Sequence, residues 1–126
     1  MNVGDKIELH VTPDPYVTVR YAGASGDFNP IHIDEQFATS VGLPGRILHG
    51  LWTMAQVARA HTEAAGGPDA LKRLSVQFRG MGVIGEEIVV RGTVDEVNGG
   101  IAVAHAEAEQ AGSRIIRNAE AELSAG

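Results

Sequence analysis

An aspartate and a histidine, five residues apart in a loop of turn-forming residues, have the most chemistry to offer in this chain. Residues 26–32 read Gly-Asp-Phe-Asn-Pro-Ile-His. Asp27 and His32 can both accept a hydrogen bond from one water molecule. Between them they supply a base and an acid that work near neutral pH. Pro30 fixes one backbone dihedral between the two and biases Asn29 toward an extended conformation. Gly26 permits a turn that a Cβ would block. Asn29 can hold the loop through side-chain-to-backbone hydrogen bonds. Taken singly, each residue has a plainer reading, Asp27 as a turn or cap residue and His32 as a satisfied structural histidine. A metal at Asp27 and His32 needs a further ligand, and none stands at a regular spacing.

The surrounding elements must bring these two groups together. Residues 6–12 alternate apolar and polar types and predict a strand. Thr12, Pro13 and Asp14 predict a helix start capped by Thr12, running to about Ala24. Residues 25–33 read as a structured loop. Residues 34–41 predict a short helix capped by Asp34 and stopped at Gly42. Over residues 50–65, Leu51, Met54, Ala55, Val57 and Ala58 fall at helical spacing, with Arg59 and Glu63 near the polar side. Gly66, Gly67 and Pro68 end that helix. The remainder is strand-like. Leu74, Val76 and Phe78 alternate with polar residues, and 88–97 is a β-branched run. Asn98-Gly99-Gly100 predicts a hairpin, with further strands at 101–110 and 114–123. An antiparallel sheet packed on one main helix is an α+β architecture.

Composition removes several function classes. A length of 126 residues with 44% hydrophobic content fits one domain with one core, spanning 1–126. A net charge of −6 without a basic cluster argues against nucleic acid. With no cysteine there is no disulfide, zinc-thiolate site or thiol nucleophile. No apolar run approaches bilayer-spanning length, so no membrane partner is expected. The N-terminus shows no signal-peptide pattern, which makes a cytoplasmic location the default expectation.

Residues 21–32, Tyr-Ala-Gly-Ala-Ser-Gly-Asp-Phe-Asn-Pro-Ile-His, resemble the signature of MaoC-like and R-specific enoyl-CoA hydratases, with Ala38 as its small residue six positions further on. Leu48-His49-Gly50 resembles the His-Gly at the start of that family's central helix. Residues 78–88 resemble its strand-turn-strand, with Gly85-Glu86 at the turn. Met81, between Gly80 and Gly82, stands where the family usually has proline. Ala24 stands where a larger residue or glycine is commoner.

The resemblance implies a hot-dog fold, a curved antiparallel sheet around one long helix. It implies hydration of a trans-2-enoyl thioester to the (R)-3-hydroxyacyl thioester, or the reverse. Asp27 and His32 would handle the water. Gly50, at the helix start, would offer its backbone N–H to the oxygen that gains charge. Asn29 and Pro30 support the loop, and His49 is expected to be structural or to support the site. Trp52 and Met54 either line an acyl tunnel or pack as ordinary core, while Tyr21 is expected in the core. His10, His61 and His105 lack chemistry-bearing neighbours in sequence. No metal or other cofactor is implied; coenzyme A or phosphopantetheine belongs to the acyl-CoA or acyl-carrier-protein substrate. The implied assembly is a dimer, as two copies or as a heterodimer. The rival readings are a thioesterase of the same fold and a non-catalytic acyl-thioester-binding subunit of a heterodimer.

Overall fold

The structure, a computed structural model, describes residues 1–125. Strand β1 (Lys6–Val11) is followed by helices α1 (Val17–Ser25), α2 (Pro30–Ile33), α3 (Glu35–Ser40) and α4 (Gly50–Ala65). Strands β2 (Leu71–Phe78), β3 (Ile88–Asn98), β4 (Ile101–Gln110) and β5 (Ser113–Ser124) complete the chain. All the pairings are antiparallel, in the order β1-β3-β4-β5-β2, so β1 and β2 form the edges. The β3–β4 hairpin turns at Gly99 and Gly100, both at positive φ, as a two-residue turn of that hand requires. In β5, Asn118 sits at φ 49° beside shifts of register against β4 and β2. Such bulges increase local coiling and curl a sheet around what it packs on.

The inner face of the sheet is small and apolar. Ala102, Ala104, Ala106 and Ala108 alternate inward on β4, and Ile116, Ala119, Ala121 and Leu123 line β5. With short side chains on the sheet, α4 can approach closely. Its buried stripe is Thr53, Gln56, Val57, Ala60 and His61. This corrects the expected face: Val57 is buried, but Leu51 is 62% exposed and Ala55 is also exposed. The reason is that each of the three buried polar side chains finds a partner one turn back in the same helix, although His61 Nε2 has none among the described residues. His61 Nδ1–H donates to the Val57 carbonyl at 2.7 Å, Gln56 Nε2 to Trp52 at 3.3 Å, and Thr53 Oγ1 lies 3.5 Å from the His49 carbonyl.

The first helix also starts later than expected. Thr12 is not its cap; α1 begins at Val17 with Tyr16 as the uncapped N-cap residue. Pro15 biases Asp14 away from helical geometry. Asp14 instead accepts the Tyr16 N–H at 2.7 Å in a turn. Asp34 caps α3 as expected, accepting the Phe37 N–H at 3.0 Å.

Burial pushes the His61 imidazole below its ordinary pKa. Between its folded value and about 6.5, only the unfolded chain binds this proton, so stability falls as pH drops below about 6.5. In His61→Leu the fall in melting temperature between pH 7.5 and 5.5 should be smaller than in wild type. Equal falls, followed by circular dichroism, would refute this.

Candidate active site

Helix α1 stops at Gly26, whose φ is 79° and whose N–H donates to the Ala22 carbonyl at 2.8 Å. The loop beyond it is braced by short-range bonds. The Asp27 N–H donates to Ser25 Oγ at 3.1 Å, and the Asn29 N–H to Asp27 Oδ1 at 3.2 Å. Asn29 Oδ1 accepts the Ile31 N–H at 3.2 Å, and Pro30 occupies the first turn of α2. The expected loop therefore contains one capped helical turn, and His32 stands on it. Asn29 is extended, with φ −53° and ψ 128°, as Pro30 dictates.

His32 Nδ1 lies 2.8 Å from the Ile47 carbonyl. A carbonyl only accepts, so Nδ1 carries the proton and the neutral ring presents a bare Nε2. Nε2 is 3.8 Å from Asp27 Oδ2. That is too long for a direct hydrogen bond, and it leaves both acceptors able to hold one water. The carboxylate is 53% exposed and the His32 side chain 10%, so the pair spans the boundary between solvent and core.

Gly50 is the first residue of α4. The Trp52 and Thr53 N–H groups bond to the His49 carbonyl at 3.1 and 3.2 Å. The N–H groups of Gly50 and Leu51 have no acceptor among the described residues. Gly50 and Phe78 are walls of both clefts at the site. One, of about 320 Å³, contains Asp27, Tyr21 and His49; the other, of about 220 Å³, contains His32, Thr53 and Met81. Both clefts thus reach a helix N-terminus whose first two N–H groups have no acceptor among the described residues, an environment that suits negative charge.

His49 is buried beside Asp27 and His32. Its ring stacks on His32, with centroids 3.8 Å apart and planes 20° from parallel, and the Tyr21 ring lies tilted against it with centroids 4.8 Å apart. His49 Nε2–H donates to the backbone carbonyl of Asp27 at 3.0 Å. His49 also supplies the further ligand that spacing did not reveal, since donor atoms of Asp27, His32 and His49 lie within 4.8 Å of one another. As a metal cage the trio is poor. The stacked rings hold their lone pairs in two offset, nearly parallel planes, which suits one tetrahedral centre poorly, and His49 Nε2 is already engaged.

Tyr21, expected in the core, lines the Asp27 cleft and also a separate groove of about 460 Å³. Trp52 lies in that second groove with Gln56, Arg59, Val17 and Arg20. Met54 packs half-buried against the core cluster. Phe78 and the Ile47 carbonyl are site groups that sequence spacing did not single out. His10 and His105 have neighbours that sequence did not reveal, but these lie on exposed strand positions. Glu87 and then Glu8 hold His10 toward its charged form; for His105, Asp95 does so first and then Glu120. His61 is enclosed in the core.

A family model described as MaoC like domain matches residues 1–114. The fatty acid synthase beta subunit of Aspergillus oryzae is 41% identical over 80 residues, which is 61% of this chain and 4% of that protein. Peroxisomal enoyl-CoA hydratase 2 of Arabidopsis thaliana is 43% identical over 56 residues, 43% of this chain and 18% of that protein. The chain therefore spans less than a fifth of the length of these curated relatives. Among solved structures, the (R)-hydratase of A. caviae involved in PHA biosynthesis superposes with a TM-score of 0.90 at 22% identity, covering 100% of this chain and 98% of that one. The ChsH1-ChsH2 complex of Mycobacterium tuberculosis gives 0.87 at 25% identity, covering 98% of each chain. The curled antiparallel sheet around α4 is the expected hot-dog fold.

Proposed function

The chain belongs to the MaoC-like dehydratase family, and on that footing we propose that it hydrates trans-2-enoyl thioesters reversibly to (R)-3-hydroxyacyl thioesters. One observation carries the reading: Asp27 Oδ2 and His32 Nε2 lie 3.8 Å apart, beside clefts that share Gly50. A water held by both acceptors attacks the β-carbon. The pair removes one of its protons and returns a proton to the α-carbon, so the charge of the pair is unchanged over a turnover. As the α-carbon becomes nucleophilic, charge gathers on the thioester oxygen, where the Gly50 N–H receives it. Holding water and alkene together replaces a bimolecular encounter. Coenzyme A or a phosphopantetheine carrier enters as part of the substrate, and this route uses no metal.

The test is a panel of 2-enoyl-CoA substrates of increasing chain length, followed by loss of the conjugated-thioester absorbance. Loss of absorbance without thiol release supports hydration. Thiol release would indicate a thioesterase, and silence across the panel would favour a binding subunit.

The active unit is proposed to be a dimer. Strand β2 is an edge with only partial cover, and Phe78, Met81 and Leu51 beside the clefts are 51%, 54% and 62% exposed. A second hot-dog chain, identical or related, would shield that edge and these side chains. Light scattering of an active preparation at micromolar concentration should return the mass of two chains. A mass of one chain would overturn the assignment.

A further inference from the structure

We infer that His49 is the positioning residue that sets the Asp27–His32 geometry and that it works as a neutral clamp. This rests on the hydratase reading of the site. Three contacts converge on one buried residue, two through its ring and one through its backbone. Its face stacks on His32 at 3.8 Å, its Nε2–H holds the Asp27 carbonyl at 3.0 Å, and its own carbonyl starts α4 by accepting the N–H groups of Trp52 and Thr53. The next residue is Gly50. His49 thus touches both water-handling residues and leads directly into the proposed oxyanion donor.

The proton pattern follows from the acceptors. The Asp27 carbonyl requires a proton on His49 Nε2, as the Ile47 carbonyl requires one on His32 Nδ1. The stacked rings therefore hold opposite tautomers. His49 Nδ1 is buried without a hydrogen-bond partner among the described residues. A second proton there would create an unsatisfied buried donor and set charge beside the face of His32. The arrangement reserves proton transfer for His32 and leaves His49 to hold the geometry.

Two substitutions separate the contacts. His49→Phe keeps a ring against His32 and removes the donor to Asp27. His49→Gln keeps a donor near the position of Nε2 and removes the stack. Each should lower kcat by about tenfold to a hundredfold with KM changed less than about threefold, because small misplacements of reacting groups cost rates of that order. The ring-proton resonances of His32, shielded by the stacked ring, should stay near their wild-type positions in His49→Phe and move downfield in His49→Gln. Wild-type kcat in both folded variants would overturn the inference while leaving the hydratase reading intact. Unmoved His32 resonances in His49→Gln would overturn it whatever the activity. An inactive wild type with the expected resonance shift would overturn the hydratase reading instead, and with it the catalytic purpose of the clamp.

Discussion

Asp27→Asn is expected to lower kcat for enoyl-thioester hydration by about two to four orders of magnitude, the range that general acid–base steps contribute. The substitution preserves the shape of the side chain. The amide oxygen can still accept the Asn29 N–H that now bonds Asp27 Oδ1 at 3.2 Å, so the loop should hold. What disappears is the anionic oxygen facing His32 Nε2. Because the carboxylate is half exposed, its replacement leaves no buried charge uncompensated, and the melting temperature should change by only a few degrees. His32→Ala should cause a loss of similar order. It also frees the Ile47 carbonyl and uncovers the face of His49, so its stability should fall further than that of Asp27→Asn. Steady-state kinetics beside thermal melts separate these outcomes. Retention of more than about a tenth of wild-type turnover in Asp27→Asn would contradict the assigned role.

Gly50→Val is the second large effect, expected at about two to three orders of magnitude in kcat, the typical cost of losing one oxyanion donor. A Cβ at Gly50 would lie 3.3 Å from the Phe78 ring, a tight contact with a side chain rather than with backbone. Phe78 is 51% exposed and can give way, so the chain should still fold. The rival explanation is that Gly50 merely makes room for Phe78. The double variant Gly50→Val with Phe78→Ala, set beside Phe78→Ala alone, distinguishes the two. Removing the ring restores turnover to the level of Phe78→Ala if the conflict is steric crowding. It leaves turnover low if a substrate oxygen must reach the Gly50 N–H.

The local part of this site was legible because its instructions are local. Gly26, Asn29 and Pro30 act on their own dihedrals or on a backbone N–H two residues away, and the structure shows each doing so. The helix over Gly50–Ala65 was equally plain between its N-terminal pattern and Gly66. Its orientation was not. Counting apolar residues placed Leu51 and Ala55 inward with Val57, whereas Thr53, Gln56 and His61 are the residues buried beside Val57 and Ala60. A polar side chain bonded to the preceding turn of its own helix presents mostly carbon to its neighbours, and composition does not register that. Contacts made across long stretches of chain were hidden for a different reason. The bond from His49 to Asp27 joins residues 22 positions apart, and the role of Tyr21 depends on where α1 lies against His49. The late start of α1 was recoverable in principle, since Pro15 restricts Asp14. Helix-start residues alone pointed to Thr12.

The polar stripe of α4, bonded one turn back to its own helix, has a consequence for how the sequence can vary. Thr53, Gln56 and His61 draw their hydrogen bonds from the helix that carries them, so these bonds ask nothing of Ala102, Ala104, Ala119 or Ala121 on the sheet. Substitutions on the two sides can therefore communicate through volume, without orphaning a bonded donor. Residues in contact are coupled whether they share hydrogen bonds or only volume, and enlarging an alanine on a sheet that α4 approaches closely costs about 1–3 kcal/mol through overpacking. Around its central helix this domain should therefore accept exchanges that conserve volume across the two sides, whereas Asp27, His32 and His49 are tied by specific bonds and a ring stack.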